Sequence, residues 1–355
     1  MPKSRDSIPP IAGHGALTLP SVTIDSVNVE LRDGDDFIGD RASSGAFYAI
    51  IEELREKLRA YDQDPLGEVE TDELGKSRLN RILTGDKVEA AALVQGAVEK
   101  FAGELAFVTR RFLRLKDWRD TERIVIGGGF RQSRIGELAV SRAEQMLKEE
   151  ELGVDLVPIS NHPDEAGLLG GAHLAPAWVL AGHDGMLAVD IGGSNIRAGI
   201  VKLNLRKGGD LAKAKVWQSI LWRHAEEEPG RDEAVQKLVG MLEELIAMAQ
   251  TEKLALAPFI GIGCPGLILE DGSIDRGGQN LPGNWESRRF NLPQALREAI
   301  PRIGDHETAV VMHNDAVVQG LSEVPAMADV ERWGVFTIGT GLGNARFTNR
   351  RAGGE

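Results

Sequence analysis

With 355 residues, 42% of them hydrophobic and 27% charged, the chain is long enough to bury a large core and has the composition of a globular protein. Its formal charge of −13 provides no general attraction to nucleic acid or to an anionic membrane, and no basic cluster supplies one locally. A single cysteine excludes an internal disulfide and favours a reducing compartment. Since the sequence has neither a long apolar run nor an apolar leader, we expect a cytoplasmic protein without a membrane segment.

The first half of the chain predicts helices separated by short strands. Proline and glycine predict irregular structure over residues 1–25, whereas apolar residues at helical spacing predict helices over 44–60 and 86–115. The first of these helices carries the acid-rich sequence EELREKLRA, which we interpret as a solvated face. The remaining predicted elements are an exposed loop over 62–77, a strand over 124–129, a helix ending near 151, a strand over 154–160 and an apolar helix over 165–179.

The second half starts with a strand–glycine–strand hairpin and ends with another. Strands and helices alternate between them, and this alternation predicts an α/β fold with helices layered on sheets. The predicted elements are the hairpin over 187–201, strands over 215–223 and 258–268, helices over 232–250 and 292–300, a loop over 280–285, a strand passing into a helix over 309–324, and the last hairpin over 333–351.

The two hairpins, VDIGGSNIRAGIV and FTIGTGLGNARFT, share an apolar strand, a turn of Gly with Ser or Thr, and a resumed strand. Glycine allows a positive φ and lets the backbone approach an anion, and successive N–H groups then form a concavity for phosphate. We interpret the hairpins as two related halves that each hold one end of a polyphosphate; the alternative is that each is only a tight turn. The candidate phosphate-binding residues are Gly192, Gly193, Ser194, Asn195 and Arg197 in the first hairpin, and Gly339, Thr340, Gly341 and Gly343 in the second.

A carboxylate and a third glycine cluster complete the candidate nucleotide site. Asp190 ends the first strand of the first hairpin, where it can hold Mg²⁺ through a water. Gly127, Gly128 and Gly129 follow a predicted strand but do not form the GxGxxG of a dinucleotide fold. We interpret them as a place where a base or ribose lies against bare backbone, and an oxidoreductase with a dinucleotide loop here ranks last among the alternatives.

The sequence HNDAVVQG places Asp315 between a predicted buried strand and a helix, next to Asn314. A carboxylate there can accept the proton of a substrate hydroxyl, a contribution of roughly 10²–10⁴-fold in rate. The alternative is that Asp315 only caps the helix. Cys264 lies in an apolar strand and is interpreted as a core residue, and the seven histidines show no metal-binding spacing such as HExxH.

These motifs, together with GCPGLI, NLPGNW and IVIGGGF, resemble those of the ROK family of sugar kinases and sugar-responsive repressors. That family belongs to the actin, sugar kinase and Hsp70 superfamily, and the resemblance covers most of residues 86–355. It implies two ribonuclease H-like lobes around a deep cleft that holds ATP and Mg²⁺. The phosphates would lie on the hairpins and adenosine near the glycine cluster. Asp315 would be the general base, and Asn314 would orient the sugar ring.

The order of these motifs differs from that of the family. Family members run from the first phosphate hairpin through the catalytic Asp and the second hairpin to the adenosine glycines and a closing helix. Here the last two pieces come first, over 124–175, and reading 187–355 and then 1–180 restores the order. The resemblance therefore implies a circular permutant, with APAWVLAGHDG joining the old ends; such permutants fold when the old termini lie close together. The alternative is a chain made of two unrelated pieces.

The resemblance also implies residues that contact the sugar. The family carries a Glu–x–Gly–His sequence, to which Glu355 and His14 correspond once the ends are rejoined. Asp40 corresponds to a later sugar-contacting Glu of the family, and Asn284, in NLPGNW, is a further candidate. The cysteine-rich zinc motif of the family is absent, so no zinc site is expected.

The function implied by the resemblance is that of an ATP-dependent sugar kinase acting on a hydroxyl of a hexose or hexose derivative. The smaller lobe would span 165–305, and the larger would combine 1–164 with 306–355. The alternative is a non-catalytic sugar-binding sensor or regulator; a DNA-binding repressor is disfavoured because no room remains for a helix-turn-helix before Leu187. Relatives are often dimers, which allows a homodimer, and neither nucleic acid nor membrane is an expected partner.

Overall fold

The computed structural model describes residues 10–129, 133–207 and 211–350. The chain divides into two units: unit one holds the described residues of 1–24, 164–328 and 348–355, and unit two those of 25–163 and 329–347. In the predicted division, residues 306–328 belong to the larger lobe and are separate from the smaller lobe, 165–305. In the structure these residues pack in unit one, because the strand Ala309–Asn314 is hydrogen-bonded into its sheet.

Strands and helices alternate along the chain, which confirms the predicted α/β class. The strands in chain order are β1 (Val22–Val27), β2 (Arg32–Asp33), β3 (Asp36–Phe37), β4 (Arg123–Gly127), β5 (Asp155–Pro158), β6 (Gly185–Ile191), β7 (Ile196–Lys202), β8 (Lys215–Trp222), β9 (Leu256–Cys264), β10 (Arg302–Ile303), β11 (His306–Glu307), β12 (Ala309–Asn314), β13 (Arg332–Ile338) and β14 (Leu342–Asn349). The helices are α1 (Ser44–Arg59), α2 (Lys76–Leu83), α3 (Val88–Leu113), α4 (Arg134–Glu149), α5 (Pro163–Ala172), α6 (Ala177–Leu180), α7 (Arg231–Thr251), α8 (Leu292–Ala299) and α9 (Asp315–Leu321). Within the described ranges, no helix combines the length and the apolar character needed to span a membrane.

Unit one is built on a five-stranded sheet in the order β12–β9–β6–β7–β8. Strands β6, β9 and β12 run parallel, whereas β7 is antiparallel to both β6 and β8. Strands β6 and β9 are buried over nearly their whole length, as is usual for parallel strands in the middle of a sheet. Since parallel strands end at the same edge, Asp190, Cys264 and Asn314 all come to one edge of this sheet.

Unit two is built on a second five-stranded sheet, in the order β1–β14–β13–β4–β5, with β13, β4 and β5 parallel. Aromatic rings pack between its helices and this sheet. The ring of Phe112, at the end of α3, meets Trp118 edge-on at 5.0 Å and Phe336 at 4.9 Å between ring centroids. This cluster fixes β13, the strand that leads into the second glycine turn.

Three predictions about secondary structure were wrong at the ends of elements. Residues 22–25, predicted to be irregular, belong to β1, and the predicted loop over 62–77 ends inside α2. The predicted helix over 165–179 is two helices, α5 and α6, because Pro176 has no N–H to donate and is the N-cap of α6. Strand pairing thus overrode the proline and glycine signals before β1, and a single proline divided the helix that apolar spacing predicted as continuous.

The predicted solvated face of α1 was also wrong at one position, because Arg55 is fully buried. Its guanidinium donates to Thr71 Oγ1 at 2.6 Å and to Gly67 O at 2.8 Å. It also forms an ion pair with Asp64 at 2.9 Å. These contacts fold the segment after α1 back against the helix, so that a charged residue anchors the interior.

Candidate functional site

The first glycine turn closes the β6–β7 hairpin of unit one. Gly192 N–H donates to Asn195 O at 2.8 Å, and Gly193, Ser194 and Asn195 are exposed. A Cβ on Gly193 would lie 3.1 Å from the Cβ of Asn280, so a larger residue would crowd the neighbouring loop. The predicted phosphate-binding residues of this turn are therefore together at the surface of unit one.

His224 supports this turn, and sequence reasoning missed it. The residue is buried, and its Nε2 lies 2.9 Å from Gly192 O. Because a carbonyl only accepts, Nε2 carries the proton. Next to it, Ala225 N–H donates to Ser194 O at 3.2 Å. The sequence signal that could have found it is the position of His224 directly after the predicted strand over 215–223. Because β8 pairs antiparallel with β7, the end of β8 lies beside the start of β7 and so beside the turn.

Asp190 lies at the end of β6 with its carboxylate against the backbone of α5. A Cβ on Gly167 would come within 2.3 Å of the Asp190 Cγ, so only glycine leaves room for the carboxylate. Arg197, opposite in the hairpin, has its guanidinium 3.9 Å from Asp190 and 2.9 Å from Asp164. Burial raises the pKa of Asp190 to about 6. Arg197 opposes this shift in pKa, whereas the carboxylates of Asp315 and Asp164 add to it.

Asn314, rather than Asp315, is the N-cap of α9. Its Oδ1 accepts from Ala316 N–H at 3.0 Å and from Val317 N–H at 3.3 Å. Its Nδ2 donates to Gly266 O and to Asp315 Oδ1, both at 3.0 Å. Asp315 is the first helical residue, and its carboxylate is oriented by the amide beside it.

The Asp315 carboxyl group has a pKa raised toward neutral pH. Burial raises the pKa of Asp315 to about 6, while hydrogen bonds from backbone N–H groups and from Asn314 oppose the shift. A carboxylate with a pKa in this range can accept a proton at neutral pH. Cys264, on the adjacent β9, is buried as predicted, and burial followed by the charges of Asp315 and Asp190 raises its thiol pKa. Such a thiol is inert.

His14 lies beside β12, an edge strand of the unit one sheet. Its Nδ1 accepts from Met312 N–H at 3.1 Å, and Gly15 N–H donates to Met312 O at 3.0 Å. The imidazole ring packs against Gly272, where a Cβ would come within 2.9 Å of its Cδ2. Burial, and then the charge of Arg297, lower the pKa of His14. Here the ring covers a strand edge; the sugar contact remains a prediction.

The second glycine turn, residues 339–341, joins β13 to β14 in unit two. Gly339 N–H donates to Gly341 O at 3.0 Å. Gly339 O accepts at 2.9 Å from the N–H of Ser44, the first residue of α1. Gly339, Thr340 and Gly341 are exposed, and Gly343 lies half-buried in β14. The start of α1, the end of the helix that attracts anions, therefore adjoins the turn.

The glycines 127–129 lie beside this second turn, also in unit two. Gly127 ends β4, and Gly128 has a φ of 84°. A Cβ on Gly128 would lie 2.3 Å from the O of Ile338, the residue before the turn. A Cβ on Gly129 would lie 3.2 Å from the Nζ of Lys76, a residue that the sequence placed in an exposed loop.

The other predicted sugar contacts remain predictions. Asn284 is exposed in unit one, and its carbonyl accepts from Arg231 Nη1 at 3.0 Å. Asp40 belongs to unit two, in the 3₁₀ helix Ile38–Ala42, where its carbonyl accepts from Ser43 N–H at 3.2 Å. Glu355 lies outside the described residues.

Asp190 is suited to a water-mediated contact with Mg²⁺. In the described parts of the chain, no group of three or more His, Cys, Asp or Glu side chains could hold a metal ion. Mg²⁺ that arrives with a nucleotide needs only one or two carboxylates, because phosphate oxygens and waters complete its coordination. A buried carboxylate with other carboxylates nearby is stabilised by such a cation. Arg197 lies closer to Asp164, at 2.9 Å, than to Asp190, at 3.9 Å, so the Asp190 carboxylate is the one better placed to accept from a water on Mg²⁺.

The model of the ROK family matches residues 186–353, slightly less than half of the chain. The predicted resemblance to this family is therefore confirmed for that part of the sequence. Among the curated proteins, none shows a significant match to the chain.

Three solved structures are similar to parts of the chain: one is a sugar kinase, and the other two are provisionally designated as sugar kinases. The ROK family glucokinase from Streptomyces griseus, solved with glucose and AMPPNP, is 20% identical with a TM-score of 0.34, over 47% of this chain and 46% of that one. A provisionally designated sugar kinase from Cytophaga hutchinsonii is 18% identical with a TM-score of 0.35, over 46% and 48%. The Lmo2764 protein from Listeria monocytogenes, provisionally designated an N-acetylmannosamine kinase, is 22% identical with a TM-score of 0.32, over 48% and 50%. The chain thus spans about half the length of these proteins.

Proposed function

We propose, from the match of residues 186–353 to the model of the ROK family, that the protein is an ATP-dependent sugar kinase acting on a hexose or hexose derivative. The observation that carries the proposal lies within unit one. Asp315 follows β12 and the turn 192–195 follows β6, so a carboxylate with a pKa of about 6 and the predicted phosphate-binding turn share one edge of the sheet. Phosphoryl transfer to a hydroxyl needs these two groups.

In the proposed reaction the sugar hydroxyl gives its proton to Asp315 as its oxygen bonds to the γ-phosphorus of ATP. The bond from that phosphorus to the bridging oxygen breaks, and ADP leaves. In unit one, backbone N–H groups of the turn 192–195 would bind phosphate. In unit two, the turn 339–341 is a second candidate for phosphate and the glycines 127–129 are the candidate for adenosine. Mg²⁺ held through Asp190 would neutralise phosphate charge. Catalysis of this kind depends chiefly on positioning and charge neutralisation.

The direct test is a screen for ADP release by the wild-type protein over hexoses, N-acetylhexosamines and N-acylmannosamines, with Mg²⁺ and ATP present. One of these classes should give sugar-dependent release of ADP. If no sugar does so while one of them raises the Tm, the protein is a sensor and the kinase proposal is wrong.

We assign Asn314 to the positioning of Asp315, although the family resemblance would have it orient the sugar ring. Both of its amide hydrogens are donated, one to Gly266 O and one to Asp315 Oδ1. Its oxygen accepts from two backbone N–H groups of α9. The hydrogen-bonding capacity of this side chain is thus fully used within the protein.

Asn314→Ala should lower kcat about tenfold and leave the sugar KM within about twofold, because the Asp315 carboxylate loses its orienting donor. Asn314→Ser keeps a cap for α9, worth about 1 kcal/mol, but lacks the donor. It should therefore recover the stability and not the kcat. Steady-state kinetics and thermal unfolding of both variants measure this. A raised sugar KM at unchanged kcat would instead assign Asn314 to the sugar.

The pH dependence of kcat should report the ionisation of Asp315. The carboxylate must be ionised to accept a proton, and burial raises its pKa to about 6. We therefore expect kcat to be constant above about pH 7 and to fall about tenfold per unit well below about pH 6. Asp190 titrates in the same range, so the apparent pKa belongs to the pair. Measurement at saturating substrates decides, and a profile that stays flat down to about pH 5 contradicts the assignment.

We also propose that the chain is circularly permuted relative to the family order, because its two sheets have matching topologies. The sheet of unit one has β6–β7–β8 on one side and β9–β12 on the other. The sheet of unit two has the same arrangement when it is traced as β13–β14–β1 and then β4–β5, a path that joins the end of the chain to its start. In both paths the first, fourth and fifth strands are parallel. Moreover, Arg350 N–H donates to Ser21 O at 3.0 Å, next to the start of β1.

A rearranged chain, opened after Gly182 and joined by a short linker from residue 355 to residue 1, should fold and keep its activity. Gly182 is exposed in a turn with a φ of 82°, so opening the chain there breaks little structure. Circular dichroism, Tm and sugar-dependent ADP release measure the outcome. A second rearranged chain, opened after Gly103 inside α3, is the matched control and should not fold. Equal failure of both would contradict the permutation.

A further inference from the structure

Lys76 lies at the glycine cluster of unit two. It is the first residue of α2, and its Nζ is 3.2 Å from the position that a Cβ on Gly129 would occupy. Any larger residue at Gly129 would press against the ammonium. The glycine therefore lets a lysine headgroup lie directly on the backbone that follows β4.

The position of Lys76 is fixed by the packing of α2. Leu74 and Leu79, on either side of it in the chain, are both fully buried. Asn80 Oδ1 accepts at 3.2 Å from the N–H of Ile135, in the first turn of α4. A short helix held by these contacts presents its first side chain at a defined place.

The same surface of unit two carries the second glycine turn. Gly129 lies next to Lys76, and Gly128 packs closely against the carbonyl oxygen of Ile338. The turn 339–341 begins immediately after Ile338. The turn is exposed, and the start of α1 donates to it. A positive headgroup, bare glycine backbone and a helix start are thus contiguous, and all three favour an anion.

Lys76 supplies a positive charge at this surface and is partly buried. Burial lowers the pKa of its ammonium, because part of its hydration is lost. A phosphate bound to this ammonium would form a charge-assisted hydrogen bond with it, the strong kind. Lysine is suited to this role as a compact point charge with three donors.

We propose that Lys76 binds a phosphate group of the nucleotide, beside the turn 339–341. This inference deepens the proposed kinase function and rests on it, since it requires a nucleotide at the glycine cluster. It adds to the site a nucleotide-binding residue that lies outside the glycine motifs, on a helix that the sequence did not predict.

The test is calorimetric titration of adenosine, AMP and ADP into the wild-type protein and three variants. Lys76→Met should weaken the binding of ADP about tenfold or more and leave that of adenosine within about twofold. Lys76→Arg, which keeps the charge, should retain most of the affinity for ADP. Lys57→Met is the matched control, because Lys57 is an exposed lysine of unit two that pairs with Glu53. It should bind all three ligands as the wild type does.

Each result decides between the two proposals. Unchanged affinity for ADP in Lys76→Met overturns the role of Lys76, and so does an equal loss for adenosine and ADP, which would indicate misfolding or a contact with the nucleoside. Tm values of the variants separate these two causes. A wild-type protein that does not bind ADP would overturn the kinase proposal itself, and the role of Lys76 with it. Adenosine, AMP and ADP differ by one phosphate at a time. The first of these ligands that Lys76→Met binds more weakly than the wild type does therefore identifies the phosphate that Lys76 contacts.

Discussion

Asp315→Asn is expected to lower kcat by about 10²–10⁴-fold, the usual contribution of a general base. The amide has the shape of the carboxylate, but it cannot take the proton of the sugar hydroxyl. The folded state should tolerate the change, because burial already disfavours the charged form of Asp315 and raises its pKa to about 6. Release of ADP with the sugar found in the screen measures the loss, and Tm confirms folding.

The control for this variant is Asp305→Asn, which removes a carboxylate from an exposed residue of the same unit. Its kcat should equal that of the wild type. Binding of ADP should be unchanged in both variants, because Asp315 is assigned to the sugar hydroxyl and not to the nucleotide. An Asp315→Asn protein that keeps kcat within about threefold of the wild type would show that another group takes the proton.

The glycine turns could be predicted from sequence because their chemistry is local. An apolar strand, two or three small residues and a resumed strand already define a hairpin, whatever the rest of the chain does. The structure accordingly has turns at 192–195 and 339–341. The edge shared by Asp190 and Asn314 was not predicted, because it depends on the parallel pairing of β6, β9 and β12.

The division of roles between Asn314 and Asp315 could not be predicted. Both residue types are good N-caps, and their order in the sequence does not decide which one caps the helix. The backbone decides it: Asn314 has φ −56° and ψ 142°, outside the helical region, whereas Asp315 is already helical. The cap therefore falls on the amide, and the carboxylate remains available for a proton.

Burial of polar residues by distant segments was equally invisible in the sequence. His14 lies against Met312, 298 positions away in the chain, and no local pattern encodes such a contact. Their charge predicted that Arg55 and Lys76 are exposed. Arg55 is instead buried and donates to Thr71, and the Lys76 ammonium lies against the backbone of Gly129. Sequence patterns describe one element at a time, whereas these residues depend on how elements meet.

Arg55→Met is expected to lower the free energy of unfolding by about 3 kcal/mol. Removing one partner of a buried ion pair typically costs about 3–5 kcal/mol, because the other partner is left without compensation. Here Thr71 Oγ1 and Gly67 O would lose their donor, but Asp64 would keep a second ion pair with Arg59 at 2.9 Å. We therefore expect the lower end of the range, measured by urea unfolding.

Arg59→Met is the matched control, because Arg59 lies on the same helix and pairs with the same carboxylates. Its side chain is 40% exposed, against 1% for Arg55, and an exposed pair contributes about 0–1 kcal/mol. The two variants thus remove the same charge from the same two carboxylates, but only Arg55 is buried and also donates to Thr71 and Gly67. If both lose the same stability, burial of Arg55 is not what stabilises the fold of the segment between α1 and α2. A larger loss for Arg55→Met would also weaken the anchoring of α2, and the affinity for ADP in that variant should fall with it.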